Sequence, residues 1–150
     1  MNIDYYDYTI SEDFLTYEFF SEGPNGKIKK AIRFGLMVVS GHIYFNLGFG
    51  DLKEDGTVSD TVTSNNQDTE RVLATVAHAV IEFTNYIPEA MIYAVGSTPS
   101  RTRRYQMGIN KFWNEVETLF NVFGLTENKV FEPFIHGENY MAFVATRKKS

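Results

Sequence analysis

The 150-residue chain contains no cysteine, which excludes thiol nucleophiles, thiolate metal sites and stabilising disulfides together. Met1 to Tyr8 has neither the basic segment nor the apolar run of a signal peptide. The expected location is therefore cytoplasmic. No apolar run reaches the roughly 20 residues that a helix needs to span a bilayer, so no membrane partner is expected. Fourteen Lys and Arg face nineteen Asp and Glu, for a formal net charge of −5. That balance lacks the basic field of a general nucleic-acid binder. P-loop, dinucleotide-fingerprint and nucleophile-elbow motifs are missing as well, and no Ser-His-Asp order appears.

What is present is hydrophobic bulk. Apolar residues make up 43% and aromatics 15%, including thirteen Phe and nine Tyr. This suffices for one sizeable core, and residues 1–150 read as a single α+β domain. The aromatic content is also compatible with a homodimer interface.

Up to residue 63, alternating or β-rich runs at 3–9, 13–21, 27–38, 42–49 and 57–63 predict strands. Gly23-Pro24-Asn25-Gly26, Ser40-Gly41 and Asp55-Gly56 supply hairpin turns between them, giving an antiparallel meander. The period then changes. Leu73, Val76, Ala77, Val80 and Phe83 share one helical face, with Asp68 as the expected N-cap and a stop before Pro88. Met91 to Val95 reads as a short buried strand. Thr98 and Pro99 open a second helix whose apolar stripe runs Tyr105, Ile109, Phe112, Trp113, Val116, Phe120 and Phe123. Gly108 is the expected kink and Gly124 the expected C-terminal glycine. Runs at 129–135 and 139–146 predict a closing hairpin around His136-Gly137-Glu138-Asn139. The expectation is a twisted, mainly antiparallel sheet with two principal helices.

Three of the six arginines fall within 101–104, at a strand-to-helix junction. Arginines in a first helical turn face the positive end of the macrodipole, an unfavourable place unless an anion or acid offsets them. Ser97, Thr98 and the free N–H groups of the helix start, with Arg101 and Arg104 on one face, form a candidate site for an anionic ligand or a protein partner. Arg103 points elsewhere. The plainer reading pairs these arginines with surface acids between Asp51 and Asp60, worth about 0–1 kcal/mol per pair.

On the first helix, His78 and Glu82 form an i, i+4 pair on the polar face, able to orient a general base, although any amphipathic helix needs such a face. His42 and His136 have no partner at metal-ligand spacing. Asp51, Glu54, Asp55 and Asp60 do not follow the calcium-loop pattern. No metal is expected.

Asn46-Leu47-Gly48-Phe49-Gly50-Asp51, Asn65-Asn66-Gln67-Asp68, Val72-Leu73-Ala74-Thr75-Val76 and Gly96-Ser97-Thr98-Pro99-Ser100-Arg101-Thr102-Arg103-Arg104-Tyr105 resemble a small family of uncharacterised bacterial proteins. The match spans most of the chain and includes a Gly-Ser-Thr-x-x-Arg-Thr-x-x-Tyr signature, but it implies kinship without an activity. More distantly, the order of strands, helix, strand, helix and closing hairpin is similar to the later elements of GNAT-superfamily acetyltransferases. That resemblance implies acetyl coenzyme A as cofactor. It also implies that Tyr105 protonates the departing thiolate, with Glu82 or His78 as base. Thr98 stands where that family often has Asn, and Arg101 where it often has Ala. The family's glycine-bearing pyrophosphate loop is replaced by Asn65-Asn66-Gln67-Asp68-Thr69-Glu70-Arg71, whose acids carry the wrong sign.

Two functions follow. The first is a non-catalytic binding or regulatory module, of a kind suited to bacterial toxin–antitoxin or defence systems, that needs no cofactor. The alternative is an atypical GNAT-like acyltransferase.

Overall fold

The computed structural model describes residues 4–59 and 66–149. Within them the chain is α+β, with nine strands and three helices. The strands are β1 (Thr9–Ile10), β2 (Thr16–Gly23), β3 (Gly26–Val39), β4 (His42–Leu52), β5 (Val58–Ser59), β6 (Ile92–Ala94), β7 (Phe120–Leu125), β8 (Phe131–Pro133) and β9 (Phe143–Arg147). The helices are α1 (Thr69–Tyr86), α2 (Pro99–Lys111) and α3 (Trp113–Leu119). The sheet order is β1-β2-β3-β4-β6-β9-β7-β8, with β5 also pairing β4. All pairs are antiparallel except β4 with β6.

The expected meander forms. Ser40 and Gly41 both have positive φ (50° and 79°), the backbone of a type I′ hairpin whose twist matches its strands. This sets the register Val39↔His42 and Phe34↔Leu47. Ile32 and Phe34 of β3 therefore share a face with Phe45, Leu47 and Phe49 of β4, and the helices pack there. Phe83 of α1 stacks on Phe34, with centroids 4.1 Å apart, and meets Phe45 edge-on at 5.0 Å. Burying each such ring stabilises the fold by about 1.5–3 kcal/mol. Beyond the helices the same face is bare, and Leu36, Val38 and Ile43 are 67%, 65% and 59% exposed.

Five expectations are corrected. The first predicted run, 3–9, yields only β1, with residue 3 outside the described residues. Tyr6 is instead anchored through its hydroxyl, bonded to Asp68 at 2.7 Å. Asp68 is not a side-chain N-cap, because its Oδ2 accepts from the Tyr6 and Ser21 hydroxyls, at 2.7 and 2.5 Å. The second helix does not run on to Phe123. It continues through Gly108, breaks at Phe112 (φ −108°, ψ 22°) and ends as α3 at Leu119. Gly124 then lies inside β7 rather than at a helix end, because a Cβ there would penetrate the Tyr140 ring. Finally, the two closing runs do not pair with each other. β8 pairs with β7, while β9 inserts between β6 and β7, since Phe143 and Ala145 extend the apolar floor beneath the helices. Of the run 57–63, Val58–Ser59 is strand; residues 60–63, Ser64 and Asn65 lie outside the described residues.

Candidate functional site

At the 96–105 junction, Gly96 permits a close crossing of strand end and helix start, for a Cβ there would stand 2.5 Å from the Arg101 backbone and the Thr102 nitrogen. The Gly96 N–H donates to Thr102 Oγ1 at 3.0 Å, and that hydroxyl donates to the Thr98 carbonyl at 3.1 Å. Thr98 Oγ1 caps the helix by accepting from the Arg101 N–H at 3.2 Å, with Pro99 at the first helical position. The Thr102 N–H bonds the Thr98 carbonyl. Pro99 carries no amide proton, so the turn satisfies much of its own donor set. Arg101 and Arg104 are half-buried, whereas Ser97, Thr98 and Arg103 are exposed. Tyr105 is buried, and its hydroxyl donates to the Leu47 carbonyl at 3.0 Å. Leu47↔Ala94 is the last paired level of β4 and β6, so Tyr105 is anchored where that pairing ends.

The paired face of α1 also differs from the simple i, i+4 picture. Glu82 Oε1 accepts from the Tyr8 hydroxyl at 3.0 Å, and His78 stacks on Tyr5 at 3.6 Å with an interplanar angle of 17°. His78 Nε2 is buried without a hydrogen-bond partner among the described residues. Burial lowers its pKa below 6.5, opposed by the Glu82 charge. Asp51 is engaged by Lys30 at 2.6 Å, and Asp55 by Thr57 at 2.6 Å. No group of three His, Asp or Glu among the described residues could hold a metal ion.

A further feature is one that residue chemistry did not announce. Between α1 and the α2–α3 break lies an apolar cleft of about 110 Å³. Ala77, Val80 and Ile81 form one wall, and Ile109, Val116 and Leu119 the other. Leu47, Ile92, Phe143 and Ala145 are its floor. Glu70 and Lys111 bridge α1 to α2 at 3.6 Å, and Gly108 lies against Leu73. The helices are thus held together at one end. After Phe112 the chain turns into α3, and the remaining half of the interface stays open. These positions read in the sequence as ordinary core; only the helix break separates them, and the continuous apolar stripe concealed it.

The residues of the family-like motifs meet at three structural joints. Leu47 joins Tyr105. Val72 and Leu73 lie on the buried face of α1, in the core. Asn66 donates to Ser21 Oγ at 3.1 Å and to the Gly26 carbonyl at 2.9 Å, and accepts from the Asn25 N–H at 2.8 Å, which ties the β2–β3 turn to the start of α1. Arg71 lies over the Tyr6 ring at 4.0 Å. No helix among the described residues is long and apolar enough to cross a membrane. Comparison with curated proteins and with solved structures returns no match. The family model described as "Family of unknown function (DUF6934)" matches residues 2–148, nearly the whole chain, and the protein belongs to that family.

Proposed function

We propose that this protein is a non-catalytic binding domain that takes a small ligand, or the apolar part of one, into the α1–α3 cleft. The observation that carries the reading is the cleft itself: an open space with almost wholly apolar walls, of a size comparable with the ~150 Å³ apolar cavity that holds benzene. Ligand sites are usually concave and predominantly apolar, with few polar groups. Two of the polar side chains first considered for catalysis are engaged within the fold: Tyr105 with the Leu47 carbonyl and Glu82 with the Tyr8 hydroxyl. Benzene at millimolar concentration should raise the melting temperature by mass action. The cleft-filling substitution Ala77→Phe should abolish that rise while leaving the circular dichroism spectrum unchanged. No rise in the wild-type protein overturns the reading.

Arg101 and Arg104, with Ser97 and Thr98, remain the place for an anionic partner to touch the same domain. Arg104 makes no hydrogen bond or ion pair with the described residues, which supports this role. Reversing both charges should remove binding to an anionic partner without unfolding the chain. The acyltransferase reading is supported by one observation, the end of the parallel β4–β6 pairing beside Tyr105. Under it, acetyl coenzyme A would bind there and Tyr105 would leave Leu47 to protonate the thiolate. A thermal shift with acetyl coenzyme A tests it, and no shift at millimolar ligand counts against it.

A further inference from the structure

We propose that the ligand of the cleft is a small amphiphilic anion, whose carboxylate is held by Arg147 while its apolar part lies between α1 and α3; this rests on the binding reading above. Phe143, Ala145 and Arg147 alternate along β9 and so share one face. The first two form part of the cleft floor, and Arg147 is next in the row. Its guanidinium lies 5.5 Å from the centroid of the Phe120 ring, and Nη1 donates to the Ile81 carbonyl at 3.3 Å. Phe120 and Ile81 both line the cleft, so the charge stands at its edge.

The partners of that charge are incomplete. Besides Ile81, Nη1 donates to Thr84 Oγ1 at 3.0 Å and to Asn85 Oδ1 at 2.8 Å. All three acceptors are neutral and all use one nitrogen. Nε and Nη2 make no hydrogen bond with the described residues, and Arg147 forms no ion pair with a described carboxylate. Part of its role is to supply the cation that the last turn of α1 lacks, opposite the negative end of the helix dipole. That role uses Nη1 and leaves the remaining edge of the fork, the geometry that grips a carboxylate through two parallel bonds.

The surroundings give the cleft a direction. Lys148, whose backbone N–H bonds the Leu119 carbonyl at 2.8 Å, adds positive charge at the Arg147 end, where its Nζ donates to the Glu117 carbonyl. Glu115, a turn before Leu119 on α3, lines the cleft away from that end. An anion is favoured at Arg147 and disfavoured at Glu115, and the walls between offer nothing to a polar group. This selects an apolar group carrying a negative charge at its Arg147 end over a sugar or a nucleotide.

Isothermal titration calorimetry with octanoate and with octanol tests the assignment on the full chain. Octanoate should bind about tenfold more tightly than octanol. Arg147→Gln should erase that difference, Arg147→Lys, which keeps the charge but not the two-bond fork, should retain only part of it, and Ala77→Phe should abolish binding of both. Because Arg147→Gln also removes bonds to α1, its melting curve is recorded alongside; if it fails to fold, the octanoate–octanol comparison in wild-type protein and in Arg147→Lys decides. Equal binding of the two ligands overturns the Arg147 assignment and leaves the cleft reading standing. Binding of neither overturns both.

Discussion

Replacing Tyr17 by Phe should make the protein more stable. Tyr17 is 0% exposed, and its hydroxyl has no hydrogen-bond partner among the described residues. Its ring packs edge-on against Tyr8 and Phe34, with centroids 5.6 Å away in each case. Phenylalanine keeps both contacts and removes only the oxygen. An unsatisfied buried hydroxyl costs about 1–3 kcal/mol, so a gain of about 1–2 kcal/mol is expected; at about 2–4 °C per kcal/mol in a chain of this size, the melting temperature should rise by several degrees. Alkaline pH gives a second signature. Burial, reinforced by the Glu82 charge, pushes the Tyr17 pKa up to about 12, above its ordinary 10.0. A raised folded pKa contributes stability that is fully present below pH 10 and lost as pH climbs through 12. Over that window the unfolded chain releases the proton and the folded one holds it, a loss approaching 1.4 kcal/mol per pH unit. Tyr6, Tyr8, Tyr93 and Tyr140 are also raised, so Tyr17→Phe should shallow the alkaline decline without removing it. Urea unfolding followed by circular dichroism from pH 7 to 11 measures both effects. A variant less stable than wild type at pH 7 would refute the reasoning, because it would mean that the hydroxyl is satisfied.

Gly124→Ala should destabilise by about 1–3 kcal/mol, the range for overpacking, since Tyr140 is pinned by its hydroxyl to Glu132 at 2.8 Å and by the Ile135 N–H at 3.1 Å; a loss below about 0.5 kcal/mol in urea unfolding would show that the ring swings aside. Asp68→Ala should cost about 2–3 kcal/mol, because it strips the shared acceptor from Tyr6 and Ser21, and Asp68→Asn should recover part of it; equal losses in the two variants would contradict this. The depressed His78 pKa contributes stability present above pH 6.5 and lost as pH falls through the lower folded value. His78→Gln should therefore flatten the stability profile between pH 7 and 5, and parallel wild-type and mutant profiles would refute the role of burial there.

Much of the architecture was legible wherever its causes are local. Ser40-Gly41 marks a turn because its backbone angles demand it, Ile87-Pro88 ends α1 because proline cannot continue a helix, and Thr98-Pro99 starts α2 for the complementary reason. Errors came where the cause is distant. Phe120 and Phe123 fit a helical stripe, yet Phe120, Val122 and Gly124 equally fit a strand buried on alternate residues; the choice is made by β9, which pairs β7 only after the chain has passed β8. Asp68 has the chemistry of a cap, but its partners Tyr6 and Ser21 lie 62 and 47 residues away. Ser97, Thr98, Arg101 and Arg104 lie around the start of α2, as the Thr98-Pro99 pair predicts. The sequence did not reveal that Thr98 and Thr102 would consume so many of the amides there.

The cleft follows from the same break that defeated the helix reading. A single straight helix from Thr98 to Phe123 would have carried Ile109, Val116 and Phe120 along one line against the sheet, and that stripe would have closed over Leu47 and Ile92. Instead Phe112, fully buried, anchors the end of α2 in the core, and the α3 turn carries Val116 and Leu119 outward from α1 before Phe120 enters the sheet. Apolar side chains on both sides remain half-exposed as a result, at Ala77, Val80 and Ile81 facing Val116 and Leu119. Leaving apolar surface uncovered opposes the hydrophobic term that drives folding, and a ligand filling that space would return it. An arginine with unused donors at one end of the cleft and a glutamate toward the other would then orient the proposed occupant, so one local feature, the turn at Phe112, would account for where such a ligand enters and how it lies.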